Sequence, residues 1–213
     1  MANGNSRWGR SWSHPAPTPL LVFLRGKASG RKLRLFAAAC CRRVWHQMAD
    51  GRSRRAVEVA EQYADGSAGE ADRLFSSKAA WAAWVTPAGA AAREAVEGDA
   101  WASASGASRY ASWAARGVAR AEELHAQAEL ARDIFGNLFC PVTVYPAWLS
   151  WHGGLLAPMA QRMYDSRDFS DLPVLADALE EAGCQDQDIL GHCRSGGEHV
   201  RGCWVIDLLL GKS

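Results

Sequence analysis

The chain has 213 residues, of which 48% are hydrophobic, and a formal net charge of +1 at pH 7. This composition can supply a packed core, which excludes disorder throughout, and no apolar run approaches the roughly 18 residues of a membrane span. Six scattered cysteines and the absence of a signal-peptide pattern fit a cytoplasmic protein better than a secreted disulfide scaffold.

The N-terminal part is predicted to contain a leader and two helices. In residues 1–17, apolar residues do not recur at the spacing of a helix or a strand, and this segment is expected to be poorly ordered. Thr18 and Pro19 favour a short helix from Leu20 to Arg25. Ser29 or Gly30 then begins the clearest helix, from Arg31 to Ala49. Its apolar arc, expected in the core, contains Leu33, Phe36, Ala37, Cys40, Cys41, Val44 and Met48.

Positive charge is concentrated near the N-terminus, where residues 1–55 hold twelve Lys and Arg against one acid, Asp50. A candidate nucleic-acid or anion-binding face combines Arg31, Lys32, Arg34, Arg42, Arg43, Arg52, Arg54 and Arg55. A basic helical face can bind phosphate groups. The preferred interpretation is a solvated face, or one paired with the acidic excess of the remaining chain, and nucleic-acid binding is the alternative.

The middle of the chain, from Ser67 to Arg132, is rich in alanine and predicted to be helical. Helix starts are indicated by a capping box at Ser67 to Glu70, by Thr86-Pro87 and by Gly98-Asp99. The tryptophans of this region are predicted to fill a buried seam between closely packed helices, with an exposed partner-binding surface as the alternative. They are Trp81, Trp84, Trp101 and Trp113.

The C-terminal part is predicted to be a compact helical block, residues 147–213, joined by an extended linker at 137–146 to a helical body at 18–136. Gly136 is predicted to end the last helix of the body, because glycine adopts the left-handed conformation that commonly ends helices. Within the block, helices are expected before Gly183 and from Asp186 to Arg194. The last element, His199 to Leu210, is a buried helix, or a strand over Cys203 to Leu210. The predicted fold class is therefore all-α, a multi-helix array or bundle.

The sharpest site hypothesis is a zinc site in this block, built from Cys184, His192, Cys193, His199 and Cys203. His199 and Cys203 would share one helix face, and zinc prefers thiolate and imidazole ligands. The block lacks a C-x₂₋₄-C knuckle, and free cysteine is often buried as a small apolar side chain. Core cysteines without a cofactor are therefore the preferred interpretation, and zinc is the alternative.

Enzymatic chemistry has one weak candidate. Cys193 beside His192 offers a nucleophile and a base, but neighbours on a helix point apart, so His199 is the better base for Cys193 or for Cys203. No P-loop, dinucleotide fingerprint or H-E-x-x-H motif occurs. The sequence favours a non-enzymatic protein-interaction or structural module with a protein partner. A metal- or nucleic-acid-binding module is the first alternative, and a Cys/His-dependent enzyme is the second.

Four segments carry a resemblance to known proteins: Thr18 to His46, with LRLFAAACCRRVWH; Ala131 to Val142; Leu175 to Cys184; and His192 to Lys212, with HCRSGGEHVRGCWVIDLLLGK. They resemble a family of uncharacterised bacterial proteins that share these blocks around an alanine- and tryptophan-rich middle of variable length. The chain departs from that pattern at residues 1–16 and at Ala38, where a cysteine is expected. The resemblance implies no activity, cofactor or site residue.

Overall fold

The computed structural model describes residues 12–117, 119–136 and 142–212. Over these ranges the protein is all-α, with twelve α-helices, two 3₁₀ turns and no strand, which confirms the predicted fold class. None of the described helices is long and apolar enough to cross a membrane. The chain divides into an N-terminal unit, Met1–Ala131, and a C-terminal unit, Arg132–Ser213.

The N-terminal unit contains six complete helices and most of a seventh. They are α1 (Pro17–Leu24), α2 (Gly30–Arg43), α3 (Gly51–Ala64), α4 (Glu70–Trp81), α5 (Pro87–Ala95), α6 (Ala100–Ala114) and α7 (Ala119–Phe135), with a 3₁₀ turn at Trp45–Gln47. The division between the units falls inside α7, after Ala131. Helix α1 begins at Pro17, earlier than predicted, because Pro17 occupies the first helical position, where its missing N–H costs nothing.

Helix α2 is the centre of the N-terminal unit, because it packs against α3, α5 and α6. All seven residues of its predicted apolar arc are buried. The predicted extension to Ala49 is wrong, since the α-helix ends at Arg43 and the chain continues into the 3₁₀ turn. Leu35 and Ala38 lie outside the predicted arc and are buried as well, because helices cover α2 on several sides.

The alanine-rich helices begin at side-chain caps. Thr86 accepts a hydrogen bond from the N–H of Gly89 at 3.0 Å, and Asp99 accepts one from Ala102 at 2.7 Å, so these two predicted starts are confirmed. The predicted capping box at Ser67 is wrong. The Ser67 hydroxyl instead donates to the carbonyl of Gln62 at the end of α3, and Asp72 accepts the N–H of Gly69 ahead of α4.

Alanines, rather than tryptophans, form the seam between the packed helices. Ala91, Ala95, Ala104 and Ala107 of α5 and α6 are fully buried where these helices pack together. Trp81, Trp84 and Trp113 are each between 43% and 52% exposed, so their predicted burial is wrong. Methyl side chains let two helices approach closely, and this close approach leaves no gap for an indole ring between them.

The C-terminal unit contains the end of α7 and five short helices. They are α8 (Pro146–Ser150), α9 (Leu156–Ser166), α10 (Leu172–Glu181), α11 (Gln187–Cys193) and α12 (Trp204–Leu210), with a 3₁₀ turn at Trp151–Gly153. Helix α9 packs against α8, α10 and α12. The core between them includes Leu156, Met163, Tyr164, Leu175 and Ile206, together with the cysteines Cys184, Cys193 and Cys203.

The last element is a helix, but a shorter one than predicted. It begins at Trp204, and residues 196–200 are irregular, so the predicted start at His199 is wrong. Gly211 ends it with a φ of +63°, a conformation that glycine adopts without strain. The alternative strand is also wrong, because an isolated strand would bury unpaired backbone groups and the described residues provide no second strand.

Part of the predicted domain organisation lies outside the described residues. This holds for residues 1–11 of the predicted leader and for residues 137–141 of the predicted linker. Residues 142–145 of the linker are irregular, and Pro146 already begins α8. The predicted leader at residues 1–11 and the predicted linker at residues 137–141 therefore stay predictions.

Replacement of Gly89 by alanine should destabilise the N-terminal unit. A Cβ atom at this position would lie 2.5 Å from the carbonyl oxygen of Ala83, a backbone atom that cannot simply rotate away. We expect Gly89→Ala to lower the free energy of unfolding by about 1–3 kcal/mol, measured by denaturant unfolding followed by circular dichroism.

Gly51→Ala is the matched control, because Gly51 begins α3 and a Cβ there would meet nothing within 4 Å. This variant should be unchanged, or more stable by up to about 1 kcal/mol. Equal losses in the two variants would contradict a close approach at Gly89.

Candidate metal centre

The candidate centre is organised around Asp133, a buried carboxylate in the last turn of α7. Its Oδ2 atom accepts the backbone N–H of Val200 at 3.0 Å. Its Oδ1 atom lies 2.7 Å from Nδ1 of His199 and 3.1 Å from Nε2 of His192. Both oxygens are therefore engaged, as burial of an ionised carboxylate requires.

The other donors come from α11 and from the chain that follows it. His192 lies in the last turn of α11, His199 in the irregular segment, and Cys203 caps α12. The Sγ atom of Cys203 is 3.2 Å from Nε2 of His192, and the two imidazole rings are 4.8 Å apart. One carboxylate oxygen, two imidazole nitrogens and one sulfur thus face a common point.

These four ligand atoms all lie within 4.8 Å of one another. In a tetrahedral zinc site with metal–ligand distances of about 2.0–2.3 Å, the ligand atoms are about 3.3–3.8 Å apart. The closest pairs here, at 2.7–3.2 Å, would need to open by well under an ångström. The widest separation, at up to 4.8 Å, would need to close by about 1–1.5 Å to reach the tetrahedral distance.

Gly136 and Trp204 support the site from outside. The indole of Trp204 packs against the ring of His192 at 5.3 Å. Gly136 directly follows α7, and a Cβ atom there would lie 2.7 Å from Cγ of Trp204. The end of α7 can therefore approach Trp204 only because residue 136 is a glycine, and this approach brings Asp133 to the loop that carries His199.

Burial and charge set the pKa values of this cluster. Burial alone would raise the pKa of Asp133, but hydrogen bonds from His192 and His199 outweigh it, so the pKa lies below its usual value. Burial, together with the negative charge of Asp133, raises the pKa of Cys203 well above that of a free thiol. Without a cation, Cys203 therefore remains a thiol at neutral pH.

The structure brings together three of the five predicted ligands, His192, His199 and Cys203. Cys184 and Cys193 lie outside the group and are core residues of the C-terminal unit. Burial raises the pKa of both thiols, and that of Cys193 reaches about 12. For these two cysteines, the packing interpretation is the one that the geometry favours.

The prediction that His199 and Cys203 share one helix face is wrong, although the two side chains do lie close together. They do not share a helix face, because α12 begins after Cys203. The irregular segment before α12, with Gly202 at a φ of +93°, folds His199 back towards Cys203 instead. The divergence of His192 and Cys193 on one helix is confirmed, since His192 joins the cluster and Cys193 does not.

Sequence reasoning missed Asp133. It is separated from His192 by 59 positions in the printed sequence, so no local spacing connects them. One clue was present: an acid in the last turn of a helix opposes the helix dipole. Asp133 also follows Arg132 in a turn whose other residues, Ala131, Ile134 and Phe135, are apolar. An unfavourable charge at such a position indicates a specific partner.

The cluster does not have the geometry of an activated nucleophile. In a nucleophilic triad, one imidazole nitrogen faces the nucleophile and the other faces the orienting acid. Here a single atom, Nε2 of His192, faces both Cys203 and Asp133. Cys203 is also fully buried with a raised pKa, so no reactive thiolate is available to a substrate.

Most of the predicted basic face is engaged inside the N-terminal unit. Arg31 pairs with Asp65 at 3.0 Å, and Arg42 with Glu61 and Arg43 with Glu123 at 2.9 Å each. Arg34 is buried and donates to the carbonyls of Glu97 and Gly98. These contacts favour the internally paired interpretation over a free nucleic-acid surface.

The remaining predicted basic residues lie at or near helix starts. Arg52 pairs with Asp50 at 2.7 Å, Arg55 contacts Glu58 at 3.3 Å, and Arg54 packs over Trp45. Lys32 lies in the first turn of α2, where its backbone N–H donates to Ser29. The eight residues therefore do not form a set of unpaired cations.

Comparisons with family models, with curated proteins and with solved structures each yield no match.

Replacement of Gly136 by alanine should destabilise the C-terminal unit. The variant must hold a non-glycine residue at a φ of +63° and displace the indole of Trp204. We expect a loss of about 2–4 kcal/mol in the free energy of unfolding, measured by denaturant unfolding with tryptophan fluorescence.

Gly183→Ala separates the two causes. Gly183 has a φ of +92°, but a Cβ there would meet nothing within 4 Å, so only the backbone cost of about 1–2 kcal/mol applies. If both variants lose the same stability, the close approach of Gly136 to Trp204 is refuted.

Proposed function

We propose that the C-terminal unit binds one zinc ion through Asp133, His192, His199 and Cys203, and that the ion has a structural role in a non-enzymatic helical module. The observation that carries this proposal is the convergence of four donor atoms from four sequence positions within 4.8 Å. Packing alone has no need to bring a sulfur, two imidazole nitrogens and a carboxylate oxygen to one point.

The charge of the complete site supports this proposal. A dication bound by one thiolate, one carboxylate and two neutral imidazoles has no net charge, so it can be buried at a small electrostatic cost. Without a cation, the same cluster buries the carboxylate of Asp133 and leaves Cys203 as a thiol. A bound cation would favour the thiolate, since metal ligands of this type are deprotonated.

The donor types favour zinc over hard cations. Magnesium and calcium prefer sites made of oxygen atoms, whereas thiolate and imidazole suit zinc. Four protein donors also fill a tetrahedral site, which is typical of structural zinc, because catalytic zinc keeps a position open for water or substrate. Both Asp133 and Cys203 are almost completely buried, which fits a closed site.

The test is elemental analysis of the purified protein, followed by chelation and titration with cobalt. We expect about one zinc per chain and a lower unfolding temperature after chelation. Bound cobalt should give the visible bands of a tetrahedral site and a thiolate charge-transfer band. Cys203→Ser should abolish the charge-transfer band, and Asp133→Asn, His192→Gln and His199→Gln should each weaken cobalt binding by about tenfold or more.

Cys193→Ala and Cys184→Ala are the matched controls, since both residues are buried in the same core but lie outside the donor group. They should keep one equivalent of metal and the charge-transfer band. A protein that binds no zinc or cobalt, or that loses the charge-transfer band in Cys193→Ala but keeps it in Cys203→Ser, would refute this site.

A second function, interaction with a protein partner, is favoured by the exposed apolar side chains on and just after α4. Between residues 74 and 85, five large apolar side chains are substantially exposed: Leu74, Phe75, Trp81, Trp84 and Val85. Phe75 is 76% and Val85 is 88% exposed, while Trp81 and Trp84 form an edge-to-face pair at 6.0 Å. Exposed apolar surface of this kind is typical of interaction sites.

We expect Phe75→Glu combined with Val85→Glu to remove a binding partner without loss of stability. Cross-linking and mass spectrometry in cells should detect a protein captured by the wild type but not by this variant. Val174→Glu is the control, because Val174 is 56% exposed on α10 and lies outside this surface. Identical captured sets for all three proteins would exclude a role for the surface.

A further inference from the structure

The N-terminal unit contains a cavity of about 590 Å³ that the zinc site does not involve. Small side chains of α6 line it, including Ala102, Ser105 and Gly106, together with larger apolar side chains, Leu21 of α1 and Leu124 of α7. Small-molecule sites typically measure about 300–1,000 Å³ and have mainly apolar walls. In size and lining, the cavity suits an organic ligand rather than an inorganic ion.

Two arginines, Arg109 of α6 and Arg120 of α7, also line the cavity. Arg109 packs over Tyr110 at 4.9 Å and over Trp113 at 5.6 Å. Neither guanidinium has a carboxylate partner among the described residues. This contrasts with α2 of the same unit, where Arg31, Arg42 and Arg43 each pair with an acid.

A third guanidinium lies beside the same cavity. Arg25 packs over the indole of Trp101 at 4.5 Å, and Trp101 is a lining residue. The indole itself is held in place, because its N–H donates to the carbonyl of Leu21 at 3.3 Å. Arg25 also lacks a carboxylate partner among the residues that the structure describes.

One acid, Glu94, lines the cavity, and its charge is compensated. Its carboxylate pairs with Arg93 and packs against Gly106, where a Cβ atom would overlap it. The cavity therefore combines apolar walls with an excess of positive charge. Arginine is well suited to bind carboxylates and other oxyanions, because its donors form a fork that matches two acceptor oxygens.

We propose that this cavity binds a small amphipathic organic anion. The apolar part of the ligand lies against α1, α6 and α7, and its anionic group pairs with Arg109 and Arg120. This binding site is independent of zinc, because all of its residues belong to the N-terminal unit.

The test is calorimetric titration of the full-length protein with decanoate, kept below its micelle-forming concentration. Decan-1-ol and decyltrimethylammonium have the same chain with a neutral and a cationic head. We expect one decanoate per chain, and affinity for the two analogues that is lower by about tenfold or more, since a charged hydrogen-bond partner is lost.

Variants locate the site. Arg109→Gln combined with Arg120→Gln should weaken decanoate binding by about tenfold or more, and Ser105→Phe should block it by filling the cavity. Arg116→Gln is the control, because Arg116 is exposed in the same unit but does not line the cavity. It should bind like the wild type, and circular dichroism should show the same helix content for all four proteins.

Several results would overturn the proposal. They are no binding of decanoate, equal affinity for decan-1-ol, equal losses in Arg116→Gln and in the double variant, or full binding by Ser105→Phe. Binding to anionic phospholipid vesicles without binding to free decanoate would also overturn it, in favour of attachment to a membrane surface.

Discussion

The buried carboxylate of Asp133 is the constraint on which the C-terminal unit depends. A buried charge is strongly destabilising unless each of its oxygen atoms has a partner. Here one oxygen is bound by the backbone of Val200, and the other faces His192 and His199. These contacts fix the end of α7 against the irregular segment before α12, a segment with no regular backbone hydrogen bonding of its own.

The N-terminal unit is held together by a different balance. Its packed helices meet through alanine and glycine, which bury little apolar area per residue but permit a close approach of backbones. Ion pairs between α2 and its neighbours then hold cationic side chains at the edge of this core. At the cavity beside α6, the described residues provide no acid that pairs with Arg109 or Arg120, and this is where we propose that an anion binds.

The two proposed ligands illustrate opposite uses of charge. In the C-terminal unit, the proposed metal cation would bring positive charge to a cluster of one carboxylate, one thiol and two imidazoles. In the N-terminal unit, the proposed amphipathic anion would bring negative charge to guanidinium groups that border a mainly apolar cavity. In each unit, a ligand of opposite charge would add a partner for charged side chains, Asp133 in one and Arg109 and Arg120 in the other.

Apolar periodicity and helix capping act over a few residues. The sequence was therefore enough to predict the all-α fold, the apolar arc of α2, and the helix starts at Thr86 and Asp99. The sequence also offered His192, His199 and Cys203 as candidate ligands, but only the tertiary structure added Asp133 to them and left Cys184 and Cys193 outside the group. Asp133 joins His192 only when the end of α7 and α11 fold together in the C-terminal unit, and a loop rather than a helix brings His199 to Cys203. Residues far apart in the chain meet through packing, which no local pattern encodes. The exposure of Trp81 and Trp84 could not be predicted for the same reason, since it depends on which neighbouring helices approach them.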